Sequence, residues 1–211
     1  MLNVRSFSLG PVQTNCYIVS NKSKECLIFD PGEEAGKIIK EIRNGQLKPL
    51  AIFLTHAHFD HIGAVDEVRE AFDIPVYIHE KEVSWLADPL KNGSGKYAEL
   101  KNYVVAPPKD EHILKGDGPL TIGSFTFRAA FTPGHSPGSL SYIFDEDGFA
   151  IVGDTLFERS IGRTDLLGGS MNVLLKSIEQ HLLSLPEDTI IYPGHGSYTT
   201  PAAEKQHNPF L

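Results

Sequence analysis

Thr55-His56-Ala57-His58-Phe59-Asp60-His61 follows the apolar run Leu50-Ala51-Ile52-Phe53-Leu54 and leads into a helical pattern, so three imidazoles and a carboxylate crowd into six residues at the end of a predicted strand. Alternate residues of an extended chain share one side, so His56 and His58 can point together, while Asp60 and His61, past a turn, can point elsewhere. A single histidine at a strand end is most often a solvated loop residue. Four adjacent ligand types are better read as a metal site. Imidazole and carboxylate suit zinc, iron and manganese, and no cysteine lies nearby to make a thiolate-rich site. One stretch cannot close such a site, so further ligands must come from elsewhere in the chain.

Outward from this stretch the same arrangement recurs. Upstream, Val4 to Leu9 alternates in the manner of a strand, Gly10-Pro11 breaks it, and Cys16-Tyr17-Ile18-Val19 and Cys26-Leu27-Ile28-Phe29 follow as strands, the last ending at Asp30-Pro31-Gly32. Asp30 fits either turn chemistry or the carboxylate that fixes the ring of a metal-bound histidine. From Glu34 to Arg43, Ile38, Ile39 and Ile42 form an apolar stripe at helical spacing, ended by Asn44-Gly45. Downstream, Ala64, Val65, Val68 and Phe72 recur at helical intervals, then a strand over Ile74–Ile78 ends at an isolated His79 read as structural, with a helix over Lys81–Ala87.

Further on, Phe125–Phe131 runs into Thr132-Pro133-Gly134-His135, Phe149–Val152 ends at Gly153-Asp154, and Thr189–Tyr192 ends at Pro193-Gly194-His195. Loops at the carboxyl ends of strands are where α/β proteins place their chemistry. Seven ligand residues in such turns, His56, His58, Asp60, His61, His135, Asp154 and His195, exceed the needs of one tetrahedral ion and fit two metals with a bridging carboxylate. Asp154 is the natural bridge, although spacing alone does not establish it. Val173–Leu183 is predicted as a helix, with His181 on its surface, and a short tail carries Glu204 and His207, to which the sequence assigns no role.

Between Asp88 and Asp110 the pattern dissolves, over a length often found in lids. Lys91, Lys96, Tyr97, Lys101 and Tyr103 could hydrogen-bond a polar substrate there, with solvated surface as the simpler account. No Walker spacing appears, so no phosphate loop is expected. The 211 residues, 41% hydrophobic and 22% charged, are those of an ordinary globular chain. A net charge of -8 argues against a broad nucleic-acid surface. The expected partner is a small molecule, with neither nucleic acid nor membrane, and the oligomeric state is not written in the sequence. Cys16 and Cys26 are expected as buried free thiols. With no basic segment leading into an apolar stretch at the N-terminus, and no apolar run near ~18 residues, a cytoplasmic location is expected.

Thr-His-Ala-His-Phe-Asp-His at 55–61, Thr-Pro-Gly-His-Ser-Pro-Gly at 132–138, Gly-Asp-Thr-Leu at 153–156 and Pro-Gly-His-Gly at 193–196 resemble the metallo-β-lactamase superfamily, as do Asp-Pro-Gly at 30–32 and the opening Gly-Pro-Val-Gln-Thr-Asn-Cys-Tyr. Within it the chain is most similar to the short bacterial glyoxalase II-like hydroxyacylglutathione hydrolases, through Ser-Ile-Gly-Arg-Thr-Asp-Leu at 160–166. The resemblance implies an α/β fold, a four-layer αββα metallo-β-lactamase sandwich. It implies one domain over residues 1–211, lacking the helical C-terminal domain that binds glutathione in full-length glyoxalase II. It also implies two divalent ions, zinc first, with iron or manganese as alternatives. One ion would take His56, His58 and His135, the other Asp60, His61 and His195, with Asp154 bridging. Asp60 and Asp154 would thereby serve catalysis as well as ligation. From the residues themselves, Asp30 is a candidate for substrate contact or ligand support, and Arg163 and Asp165 for the same or for a local ion pair that shapes the loop.

The activity implied is hydrolysis of a hydroxyacyl thioester of glutathione or another small thiol, with water activated between the ions and no serine or cysteine nucleophile needed. The rivals are a mononuclear iron persulfide dioxygenase, similar through Gly-Arg-Thr-Asp at 162–165, a lactonase of the same fold, and a non-catalytic metal-binding module. The open glycine-rich turns argue against the last, because a structural site is normally closed by four protein ligands. β-Lactam hydrolysis is not expected of a chain without an export signal.

Overall fold

The computed structural model describes residues 1–96 and 103–211, which divide into two compact units, Met1–Lys115 and Gly116–Leu211. Each unit is organised on its own sheet.

The first unit contains β1 (Asn3–Leu9), β2 (Thr14–Ser20), β3 (Glu25–Phe29), α1 (Ala35–Asn44), β4 (Lys48–Phe53), α2 (Phe59–Ile62), α3 (Val65–Phe72), β5 (Val76–His79), α4 (Val83–Leu86), α5 (Pro89–Asn92) and β6 (Ile113–Leu114). Its strands lie side by side in sequence order. The pairs β1–β2 and β2–β3 are antiparallel, and β3–β4, β4–β5 and β5–β6 are parallel. The change of sense follows from the connections, since tight turns can only reverse a strand and parallel neighbours need a crossover such as α1. One face of the sheet presents Cys16, Ile18, Ile28 and Ile52 to a core completed by Ile38 and Ile42 of α1 and Val65 and Val68 of α3. The stripe read at Ile38 and Ile42 thus buries as a helix, which ends at Gly45. The opposite face carries the stacked rings of Phe29, Phe53 and Tyr77. Cys16 and Cys26 are free and buried. Desolvation raises both thiols, that of Cys26 to about 12.

The predicted helix over Lys81–Ala87 is shorter in the structure, because His79 caps the turn before it. Its Nδ1 accepts the Lys81 N–H at 3.2 Å and its carbonyl accepts the Glu82 N–H at 2.9 Å. The segment from Asp88 is not patternless. Asp88 caps α5 by accepting from the Leu90 and Lys91 N–H groups, with Pro89 at the first helical position, and Ser94–Lys96 adds a 3₁₀ turn. The buried Asn92 amide donates to the carbonyls of Trp85 and Tyr103. Of the residues suggested for substrate contact there, Lys91 lies 3.6 Å from Asp88, Tyr103 is buried against Phe59, and Tyr97 and Lys101 lie outside the described residues.

The second unit contains β7 (Gly118–Ile122), β8 (Phe125–Phe131), β9 (Leu140–Phe144), β10 (Phe149–Gly153), β11 (Leu156–Phe157), β12 (Ser160–Ile161), α6 (Met171–Ser177), β13 (Ile190–Pro193) and α7 (Pro201–His207). β7, β8, β9 and β10 form an antiparallel meander and β13 adds in parallel beside β10. Ala130, Ile143, Ala150, Val152 and Ile191 face Leu174 of α6 and Ile178 and Leu182. The predicted helix over Val173–Leu183 is α6 followed by one π turn, Ile178–Leu182, and the Ser177 hydroxyl at the junction donates to the Pro133 carbonyl at 2.7 Å. The tail forms a helix the sequence pattern does not suggest, capped by the Thr200 hydroxyl with Pro201 at its first position. Glu204, 1% exposed, fastens it by accepting from the Arg159 N–H and the Asn208 amide, whereas His207 is exposed. Among the described residues no helix is long and apolar enough to cross a membrane.

His79 links this architecture to pH. Burial lowers its pKa from the ordinary 6.5, and its Nδ1 is already an acceptor, so the folded protein holds it neutral. Below about pH 6.5 the unfolded chain binds a proton that the folded chain does not, so stability falls as pH drops from 6.5 towards the depressed value and is fully present above 6.5. His79→Asn, which keeps an acceptor for the Lys81 N–H, is expected to reduce the stability difference between pH 7.5 and 5.5, measured by urea unfolding.

Candidate metal centre

In the first unit β4 leads into His56 and His58, the latter on extended backbone, and α2 delivers Asp60 and His61. The rings of His56 and His58 lie 4.8 Å apart at 89°. The helical turn then brings His61 back, its ring centroid 4.1 Å from that of His56 and its Nε2 3.5 Å from Asp60 Oδ2. His61 thus lies near His56 as well as Asp60, because α2 begins at Phe59 and folds His61 back over His56. His56, His58 and His61 are buried at 0%, 7% and 0% exposure.

Asp30 governs these rings. It follows β3 in a left-handed conformation, φ 47°, and is 1% exposed. Its carboxylate accepts from the Thr55 N–H at 2.8 Å, the Thr55 hydroxyl at 2.6 Å and His61 Nδ1 at 2.9 Å. The Thr55 hydroxyl, its one hydrogen directed to Asp30, lies 3.0 Å from His56 Nδ1 and can only accept from it. Both rings consequently carry their proton on Nδ1, and both Nε2 lone pairs are left for a cation. The turn after Asp30 packs directly on the ligand helix, since a Cβ at Gly32 would stand 1.8 Å from the Asp60 carbonyl oxygen.

In the second unit three strand ends converge through β10. Asp154 follows Gly153 (φ 52°) at the end of β10, and His195 follows the parallel neighbour β13, with the Gly194 N–H donating to the Gly153 carbonyl at 2.8 Å. Asp154 Oδ2 lies 3.5 Å from Nε2 of His195 and 3.5 Å from Nε2 of His135, so one carboxylate oxygen sits between two imidazoles. His135 Nδ1 donates to the Arg163 carbonyl at 2.8 Å, which again leaves Nε2 unprotonated. Gly162 admits this approach, as a Cβ there would lie 1.9 Å from the Asp154 carbonyl oxygen. Arg163 acts on His135 through its main chain, while its exposed side chain forms a two-pronged pair with Asp165, each bond 2.7 Å.

The donor set therefore fits a divalent cation. Three imidazoles have their proton fixed on Nδ1 by a buried or main-chain acceptor and turn Nε2 towards a carboxylate or another ring, the arrangement that metal-bound histidines show. Thr55, Thr14 and Glu82 were not singled out in the sequence. Thr14 donates to Asp60, and Glu82, 0% exposed, accepts the Ala57 N–H at 3.1 Å between the two histidines. Thr55 is the first residue of the quoted motif and is legible there; Glu82 carries no local signal beyond being an acid before a short apolar stretch.

Residues 9–195 match the model of the metallo-β-lactamase superfamily, and the chain belongs to that family. A Bacillus subtilis relative named "Probable metallo-hydrolase YqgX" is 52% identical over 98% of this chain and 96% of its own length. A Haemophilus influenzae relative named "Hydroxyacylglutathione hydrolase GloC" is 35% identical over 100% of this chain and 98% of its own. Among solved structures, BLEG-1 B3 metallo-β-lactamase superposes with a TM-score of 0.95 at 52% identity, covering 99% of each chain. TTHA1623 in a di-iron-bound form gives 0.86 at 37%, covering 98% of this chain and 100% of that one. The fold class read from the sequence, the α/β metallo-β-lactamase fold, is shown by these likenesses. In class the chain is a metallohydrolase of this superfamily with His/Asp metal-binding groups, and its relatives include a glyoxalase II-type enzyme.

Asp30→Ala removes the acceptor for three donors in a nearly water-free position. It is expected to cost about 3 kcal/mol or more even in the metal-free protein, at ~1–3 kcal/mol for each buried group left unsatisfied. Urea unfolding of the chelator-treated protein measures this. A cost below about 1 kcal/mol would show that the network does not hold the rings.

Proposed function

We propose that the protein is a glyoxalase II-like thioesterase that hydrolyses a hydroxyacyl thioester of glutathione or another small thiol, in a single metallo-β-lactamase-fold domain acting in the cytoplasm. The observation that carries the reading is the fixed protonation of His56, His61 and His135. It is supported by end-to-end similarity to a relative named for that activity.

The ligand assignment follows the family: His56, His58 and His135 for one ion, Asp60, His61 and His195 for the other, with Asp154 shared. The position of one Asp154 oxygen between His135 and His195 supports the shared role. Zinc suits the donors, and the di-iron form of a 37% identical structure keeps iron as the alternative. When bound, the ions supply Lewis-acid polarisation of the carbonyl and activation of water. The residues' own part is to present Nε2 atoms in one protonation state and to hold their Nδ1 protons on Asp30, through Thr55 for His56, and on the Arg163 carbonyl.

Metal analysis of the purified protein, joined to an assay panel of thioester, persulfide, lactone and β-lactam, tests the reading. The expected result is two divalent ions per chain and a kcat/KM highest for a hydroxyacyl thioester. One iron with oxygen uptake on a persulfide would replace it with a dioxygenase. A preference for the β-lactam would align the chain with its B3 metallo-β-lactamase likeness instead. Asp154→Ala is expected to lose metal and thioesterase activity together, and full activity in that variant would overturn the scheme.

A further inference from the structure

Thr14 opens β2, is 1% exposed, and its hydroxyl donates to Asp60 Oδ2 at 2.7 Å across 46 residues of sequence. We propose that Thr14 is a positioning residue for the metal, setting the Asp60 carboxylate for the cation that Asp60 and His61 are placed to hold. This rests on the two-ion reading above.

The hairpin fixes Thr14 before any cation is present. It pairs with Leu9 of β1, and the turn between them is closed by the Gln13 N–H donating to the Gly10 carbonyl at 3.2 Å, with Gln13 and Gly10 both at positive φ (59° and 66°). A hydroxyl anchored in this way removes the rotational freedom of a carboxylate on a helix only four residues long, α2. Oδ2 also lies 3.5 Å from His61 Nε2. The same oxygen therefore takes the Thr14 hydrogen bond and faces the imidazole nitrogen that Asp30 prepares from behind. Two partners of different chemistry thus register neighbouring ligands, a carboxylate behind His61 and a hydroxyl behind Asp60. Both belong to the set of the second ion, so loss of the hydroxyl should weaken one ion and spare the other. A hydrogen bond that merely tied the hairpin to α2 would instead change stability and leave metal affinity alone.

The test is zinc binding by metal-free protein in competition with a chromogenic chelator, for the wild type, Thr14→Val, which keeps the shape without the hydroxyl, and Thr14→Ser, which restores it. Thr14→Val is expected to bind one equivalent as the wild type does and the other about 10–100-fold more weakly, with Thr14→Ser close to the wild type. Unchanged affinity at every occupied site in Thr14→Val overturns the inference, even where its metal-free form unfolds at a lower temperature. Should Thr14→Val not fold, Thr14→Ala is read by the same criteria. Uptake of a single equivalent by the wild type overturns the two-ion reading instead, and the affinity comparison at that one site still decides the role of Thr14.

Discussion

The buried carboxylate of Asp30 is the constraint on which the histidines of the first unit depend. A non-glycine residue at φ 47° is held against its own preference, and a carboxylate at 1% exposure has surrendered its hydration. Both costs, of order 1 kcal/mol and several kcal/mol, are offset by three donors, two of them on Thr55. Because Thr55 donates its hydroxyl hydrogen bond to Asp30, its oxygen must accept from His56. One carboxylate thereby dictates two tautomers, one directly and one through a hydroxyl. The second unit reaches the same end with a neutral acceptor, the Arg163 carbonyl behind His135. An ionised carboxylate favours positive charge building on the ring more than a carbonyl does, so His61 is the stronger donor of the two towards a cation.

Steric room is the companion requirement. Hydrogen bonds of this length need backbones closer than side chains permit, and glycine supplies the space at Gly32 beneath Asp60 and at Gly162 beneath Asp154. In the sequence these glycines read as turn punctuation, but in the structure they are points of contact between a ligand-bearing segment and the loop that orients it.

The legible parts of the chain were those with a local period or a local motif. The Ile38–Ile42 stripe folds as α1 and the strand ends deliver the histidines, because both signals depend on neighbours in sequence. The Asp154 position between His135 and His195 joins residues 19 and 41 apart in sequence (154 − 135 and 195 − 154) and has no sequence period; only the carboxylate's chemistry and the motif likeness point to it. What stayed hidden depends on long-range partners: Thr14 meets Asp60 across 46 residues and Glu82 meets Ala57 across 25. The shortened α4 was hidden for a related reason, since propensity favours helix from Lys81 but the His79 ring captures the Lys81 N–H. The tail helix α7 had a legible start in Thr200-Pro201 and an apolar content too low to register.

The fixed tautomers bear on which groups can deliver a proton. An imidazole whose Nδ1 proton is held by a buried or main-chain acceptor, and whose Nε2 takes a cation, has no proton to give a departing group. His56, His61 and His135 are in that position once cations bind. A leaving amide nitrogen or alkoxide is strongly basic and calls for general-acid assistance at the moment of cleavage. A thiol, with a pKa near ~8.5, leaves as the thiolate with little help. The same hydrogen bonds that prepare the rings as ligands therefore disqualify them as acids, so any proton a leaving group needs has to come from another group.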